Sequence, residues 1–192
     1  VELARERTLL NHKEQYAALA RLALWKATRR GVFNTDPARA RALPPNDDLG
    51  ACLNLNVVAP PTAARADGEL LPVLLWVHGG AFVGGSGSSA LFLASWGSRL
   101  ASEHRVVLVT INYRLGAQGF AKPRADADYN CGLWDQAAAL RWVAENAAAF
   151  GGDARRITVF GESAGGMSVA ALVASRHTAP LIRRAVVMSG GG

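Results

Sequence analysis

The sequence is 192 residues long and 50% hydrophobic, which excludes wholesale disorder and suits one domain with a real core. Its 21 Lys and Arg against 15 Asp and Glu give a formal charge of +6, yet the cations are scattered through Ala-rich stretches and adjoin only at Arg29-Arg30, Arg155-Arg156 and Arg183-Arg184. That dispersal excludes the clustered, aromatic-interleaved footprint of a nucleic-acid binder, and no apolar run reaches the roughly 18 residues a membrane span requires.

From Glu2 to about Arg30, the apolar residues Leu9, Tyr16, Leu19, Leu22 and Ala23 fall at helical spacing in an Ala, Leu, Arg and Glu background, which predicts a helix. Asp36-Pro37 and Pro44-Pro45 end that periodicity, and the polar stretch between them reads as a linker. Residues 1–45 are thus set apart from an organised domain over 46–192. Within that domain, Cys52 to Val58 alternates Leu and Asn as a half-exposed strand does. Val73–Val77 and Val106–Ile111 are continuous β-branched and aliphatic runs, as in strands covered on both faces by helices. Leu91–Glu103 reads as a helix. Leu133–Phe150 reads as another, with Leu133, Ala137, Leu140, Ala144 and Ala147 on its inner face and Gly151-Gly152 as its stop. Ile157–Phe160 is a third buried strand, Ala164–Ala174 a helix and Ala185–Met188 a fourth buried strand. Strands separated by crossover helices give an α/β fold, a mostly parallel sheet with helices on both faces. Neither cysteine, Cys52 nor Cys131, implies a disulfide framework.

The chemistry is carried by Gly161-Glu162-Ser163-Ala164-Gly165, a G-x-S-x-G placed between a strand and a helix. A serine hydroxyl becomes a useful nucleophile when held exposed at such a turn, where an imidazole can reach it and a helix N-terminus favours developing negative charge. Gly161 and Gly165 leave room for the turn, because a Cβ at either place would crowd the neighbouring strand and helix. A second motif, His78-Gly79-Gly80-Ala81, follows the strand ending at Val77 and matches the HGGG-type loop that supplies oxyanion-hole amides. Gly80, Ala81 and Ala164 are then the expected N–H donors, each worth about 3 to 4 kcal/mol of barrier. His78 is expected to order this loop by hydrogen bonding rather than to act as base, and Gly79 to support the loop. Glu162 either biases the field at the nucleophile or is structural.

Four strings carry a family resemblance: PVLLWVHGGAFVGGSGS at Pro72–Ser88, TINYRLGAQGF at Thr110–Phe120, CGLWDQAAALRWVAENAAAFGGDARRITVFGESAGG at Cys131–Gly166, and RRAVVMSG at Arg183–Gly190. In this order they resemble carboxylesterase type B, the cholinesterase-like family, across Cys52 to Gly190. The resemblance implies an α/β-hydrolase fold that hydrolyses a small-molecule carboxylic ester through an acyl-enzyme, with no cofactor and no metal. It makes Ser163 the nucleophile and Gly80, Ala81 and Ala164 the oxyanion hole; the family usually has Gly where Ala81 stands, so the extra methyl would narrow the acyl pocket. It also pairs Arg114 with Asp135 as a buried structural salt bridge.

The departures are equally specific. In this fold the acid and the His follow the nucleophile, and only His177 does so here, too near Ser163 to be the family's base. Together with Val1 at the start and Gly190-Gly191-Gly192 at the end, this reads as a fragment lacking the triad acid and His, truncated after the nucleophile helix and the strand that follows it. Such a piece is expected to expose an apolar sheet edge. The family's cystine-forming ED-C-L-Y-L-N motif appears as Gly50-Ala51-Cys52-Leu53-Asn54-Leu55-Asn56 with no Cys upstream, so Cys52 is expected to be a free thiol. Cys131 is read as a small buried hydrophobe. Trp76, Phe82 and Trp134 are placed either near the substrate gorge or in the core. The alternatives are a catalytically inactive cholinesterase-like interaction module, which the intact Ser163 argues against, or a non-functional truncated product. No feature of the sequence bears on oligomeric state.

Overall fold

The computed structural model describes residues 53–60, 68–88, 97–121 and 130–191. The helix expected over Glu2–Arg30, the linker, Cys52 and the first part of the Leu91–Glu103 helix lie outside the described residues. The described elements are β1 (Leu55–Val58), β2 (Leu71–Val77), α1 (Ser98–His104), β3 (Val107–Ile111), α2 (Gly116–Phe120), α3 (Cys131–Asn146), β4 (Gly152–Glu162), α4 (Ala164–Ala174) and β5 (Arg184–Met188). A 3₁₀ turn, Ala147–Phe150, joins α3 to β4, and another, Ala179–Leu181, precedes β5.

The strands form one sheet in the order β1-β3-β2-β4-β5. Only β1 is antiparallel, against β3; every other pairing is parallel. The expectation of a mostly parallel sheet therefore describes what forms. Crossover connections explain the strand composition. All five residues of β3 are buried, as in a central strand covered on both faces. In β2, Leu71, Val73, Leu75 and Val77 are at most 2% exposed while the alternate residues are half-buried. These side chains meet Ile157 and Val159 of β4, Leu140 and Val143 of α3, and Val169 and Leu172 of α4 in a single core.

Register fixes where the site stands. Val77 is paired with Ile111 on one side and Gly161 on the other, and Gly161 with Val187. The C-terminal ends of four parallel strands thus lie level, and the loops that follow them share one edge of the sheet, the edge where open α/β sheets place their ligands.

Three expectations need correction. Ala185–Met188 does not form a buried strand: every residue of β5 is exposed, because β5 is the outer strand and, among the described residues, nothing covers its far side. Of the stripe expected on the inner face of α3, Ala137, Leu140 and Ala147 are buried, but Leu133 and Ala144 are half-buried and Gly132, Gln136 and Val143 join the face instead. The helix begins two residues before Leu133 and is turned by Gly132, where a Cβ would stand 2.5 Å from the Phe120 ring and 2.6 Å from the Arg114 carbonyl oxygen. Cys131, at that exposed first turn, is half-buried. The stop at Gly151 is a left-handed cap, φ 77°, whose N–H bonds the Ala147 and Ala148 carbonyls.

Candidate active site

Strand β4 runs directly into the turn that carries Ser163. Ser163 adopts φ 55° and ψ −122°, a conformation that costs a residue with a Cβ on the order of 1–3 kcal/mol. The turn is held from both sides: the Ser163 N–H donates to the Met188 carbonyl (2.8 Å) and its own carbonyl accepts from the Met167 N–H (3.0 Å). The glycines permit it. A Cβ on Gly161 would stand 2.5 Å from the Gly165 carbonyl, and one on Gly165 would stand 2.1 Å from the Val77 carbonyl oxygen. Ser163 is half-buried, and among the described residues its hydroxyl makes no hydrogen bond.

The loop leaving β2 packs against this turn. A Cβ on Gly79 would lie 2.6 Å from the Glu162 carbonyl oxygen, 3.0 Å from the Glu162 carboxylate and 3.3 Å from the Ser163 Cβ. Gly79, Glu162 and Ser163 are thus brought together, with the exposed Glu162 side chain over the loop. Gly80, Ala81 and Phe82 follow with φ values of 116°, 53° and 61°, and the Val83 and Gly84 N–H groups both donate to the Gly80 carbonyl at 3.0 Å. The N–H groups of Gly80 and Ala81, and that of Ala164 at the first turn of α4, engage no acceptor among the described residues. Backbone donors left open beside a nucleophile are what a developing oxyanion requires.

His78 is 5% exposed, and its Nδ1 lies 2.8 Å from the Gly79 carbonyl. A carbonyl only accepts, so Nδ1 carries the proton and Nε2 is bare. Burial lowers the imidazole pKa despite that hydrogen bond, and Nε2 is buried without a partner. The ring stacks on Tyr113, centroids 4.4 Å apart and planes at 18°. His177 is exposed beyond the far end of α4, a helix of 11 residues and therefore about 16 Å long. It lies 5.7 Å from Trp134.

Arg114 and Asp135 form a two-pronged ion pair, Nε to Oδ2 and Nη2 to Oδ1 both at 2.7 Å, and the Arg114 N–H adds a third bond to Oδ2. Their side chains are 27% and 8% exposed. The pair ties the segment after β3 to the first turn of α3. Trp76 is half-buried against Phe160 (4.9 Å), and Phe82 packs on Phe120 (4.7 Å). Trp134 is 52% exposed on the rim of a cavity of about 420 Å³ between α3 and the C-terminal end of α4, away from Ser163.

Sequence reasoning did not single out Asn54, Asn56, Thr110, Asn112 or Tyr113. Asn56 Nδ2 donates to Thr110 Oγ1 (3.0 Å) and Ser88 Oγ (3.2 Å), and Thr110 donates to the Gly87 carbonyl (2.7 Å). Their signal was the Leu-Asn-Leu-Asn alternation at 53–56, which places amides on a strand face without saying what they meet. Among the described residues no group of His, Cys, Asp and Glu is disposed to hold a metal ion, and no helix is long and apolar enough to cross a membrane.

The model of a family described as "Carboxylesterase family" matches residues 27–192. The para-nitrobenzyl esterase of Bacillus subtilis (strain 168) is 51% identical over 143 residues, 72% of this chain and 28% of that protein. The bile salt-activated lipase of Homo sapiens is 46% identical over 143 residues, 72% of this chain and 19% of its own length. The acetylcholinesterase of Gallus gallus is 46% identical over 149 residues, 76% and 18%. A solved structure of a PNB esterase superposes with a TM-score of 0.67 at 47% identity, over 78% of this chain and 32% of that one. This chain thus spans less than a third of each of these proteins.

Proposed function

The chain belongs to the carboxylesterase family, and from that premise we propose that it is the nucleophile-bearing part of an α/β-hydrolase that cleaves small-molecule carboxylic esters through an acyl-enzyme on Ser163. The observation that carries this reading is the strained Ser163 turn, φ 55°, seated at the start of α4 and against the loop of Gly79.

Ser163 Oγ attacks the ester carbonyl carbon as its proton passes to the His of the triad, which returns it to the departing alcohol oxygen. The carbonyl oxygen, now negative, accepts from the N–H groups of Gly80, Ala81 and Ala164. Collapse expels the alcohol and leaves an acyl-serine, which water then hydrolyses. His78 orders the loop through its bond to Gly79 and does not supply the base: its bare Nε2 is buried and, among the described residues, bonds neither the Ser163 hydroxyl nor any other group. His177 stands at the wrong end of α4. The acid and the His of the triad are therefore contributed by residues other than those of this sequence, and the 192 residues alone retain the weak catalysis that oxyanion stabilisation and binding provide. Arg114 and Asp135 hold the scaffold, and Glu162 shapes the field over Gly79. An interaction module with no chemistry to perform gains nothing from a residue strained as Ser163 is.

The test is intact-mass analysis of the folded chain after exposure to a fluorophosphonate, beside Ser163→Ala. Slow addition of one phosphonyl group, mapped to Ser163 and absent from the variant, is expected. Labelling that persists in Ser163→Ala, or none in folded protein after prolonged exposure, overturns the assignment for this chain.

A further inference from the structure

The oxyanion loop is improbable as an isolated piece of chain. Three consecutive residues, Gly80, Ala81 and Phe82, sit at positive φ, and two of them carry a Cβ. Conformations of this kind persist where surrounding contacts over-determine them. The contacts at its start and middle come from one short segment, which at its end shares the hold on Gly87 and Ser88 with Asn56 and Thr110. The Tyr113 hydroxyl donates to the His78 carbonyl at 2.6 Å, fixing the start of the loop, and its ring backs the His78 imidazole. Asn112 fixes the end: its Oδ1 accepts from the Gly87 N–H at 2.7 Å and the Ser86 hydroxyl at 3.2 Å. Because the Gly87 N–H can only donate, the amide orientation of Asn112 is determined, and its Nδ2 donates to Asn54 Oδ1 at 2.7 Å. Between them, the Gly116 N–H donates to the Phe82 carbonyl at 2.6 Å. The segment itself is anchored to β1 through the Asn112 N–H and the Asn54 carbonyl (2.9 Å).

We propose that Asn112 and Tyr113 are positioning residues that hold the two ends of the 78–88 loop so that the Gly80 and Ala81 N–H groups stay open towards the Ser163 turn. The proposal rests on reading that turn and loop as the reacting site. Neither residue touches the reacting atoms; each acts through the backbone it holds. Tyr113 is 4% exposed, and burial pushes its phenol up to about 12, so it stays a donor throughout the working pH range.

Two readouts test this on the full chain. Amide hydrogen exchange is followed at Val83 and Gly84, whose N–H groups bond the Gly80 carbonyl and touch neither mutated side chain, and fluorophosphonate addition to Ser163 is followed by mass. Tyr113→Phe keeps the ring and drops one buried hydrogen bond; Asn112→Leu keeps the shape and drops the polar contacts; Asn112→Asp restores the acceptor for Gly87. Tyr113→Phe and Asn112→Leu are expected to speed exchange at Val83 and Gly84 about tenfold, the loss of roughly one hydrogen bond, with β2 and β4 unaffected, and to slow labelling of Ser163 by a similar factor. Asn112→Asp is expected to recover most of both. Unchanged exchange at Val83 and Gly84, a rise shared by the whole sheet, or an Asn112→Asp no better than Asn112→Leu overturns the proposal. If Asn112→Leu does not fold, Tyr113→Phe alone decides. If the parent chain takes no label at Ser163, the nucleophile assignment fails while the exchange measurement still judges the clamp.

Discussion

Gly165 approaches Val77 so closely that a Cβ on it would stand 2.1 Å from the Val77 carbonyl oxygen. The first turn of α4 is thereby pressed against the end of β2, which brings the Ser163 turn to the 78–88 loop. Backbone on both sides of the contact leaves nothing to rotate aside, so Gly165→Ala is expected to destabilise the fold by about 3 kcal/mol, the upper range for overpacking. Gly84→Ala, where a Cβ meets nothing within 4 Å, is the control and should stay within about 0.5 kcal/mol of the parent. Urea unfolding of the two variants checks the contrast; equal midpoints would refute it.

Removing one partner of the Arg114–Asp135 pair is the second case. Arg114→Leu leaves a carboxylate whose side chain is 8% exposed with, among the described residues, only a backbone N–H beside it, and breaking a buried pair in this way costs about 3 kcal/mol. Asp135→Asn keeps an oxygen for the Arg114 N–H and removes the charge, so its loss should be smaller. Chemical denaturation of both variants should rank them in that order.

Two groups make the fold acid-sensitive, in separate windows. Burial holds His78 below its usual 6.5, so the unfolded chain takes up that proton first, and the stability present above 6.5 drains away as pH falls below it. The Arg155 side chain, its N–H and Arg156 hold Asp153 down from 3.8 to about 2, so its contribution is full above pH 4 or so and disappears as pH falls towards 2. Stability measured against pH should therefore flatten below the usual 6.5 in His78→Phe and between about 4 and 2 in Asp153→Asn. A profile unchanged by Asp153→Asn would show that the Arg155 and Arg156 contacts are not kept in solution.

The outer strand presents Val186, Val187 and Met188 at 47%, 43% and 37% exposure. An uncovered apolar edge of this kind templates association between chains, and a lysine on it is a common remedy. Val187→Lys is expected to lower the weight-average mass in sedimentation equilibrium at high protein concentration. The unfolding midpoint should change little, because the substituted side chain leaves no cavity. An unaltered mass would mean that β5 does not mediate association.

Much of the fold was legible because it is written locally. The Ala164–Ala174 helix has the bounds its composition suggests, and the β-branched runs at 73–77 and 106–111 fall in the central strands Leu71–Val77 and Val107–Ile111, since covering both faces demands continuous apolar sequence. Boundaries drifted where packing set them: β4 extends from Gly152 to Glu162, well past its apolar centre, because pairing with β2 continues across residues that are not hydrophobic.

The sequence by itself determined the nucleophile motif, the glycines that make room for its turn, the alternation of strand and helix, and the family. These depend on short-range rules: which residue tolerates a close approach, and which run can be buried. The tertiary structure alone decided that Tyr113 reaches the His78 carbonyl across 35 residues and that Asn112 reaches Asn54 across 58. It also decided that β5 stands uncovered and that α3 turns Gln136 inward. A strand's pattern specifies which face is apolar but not which strand lies beside it. The long-range contacts follow from the order β1-β3-β2-β4-β5, in which β3 comes between β1 and β2, and β2 between β3 and β4, so that segments distant in sequence are brought level.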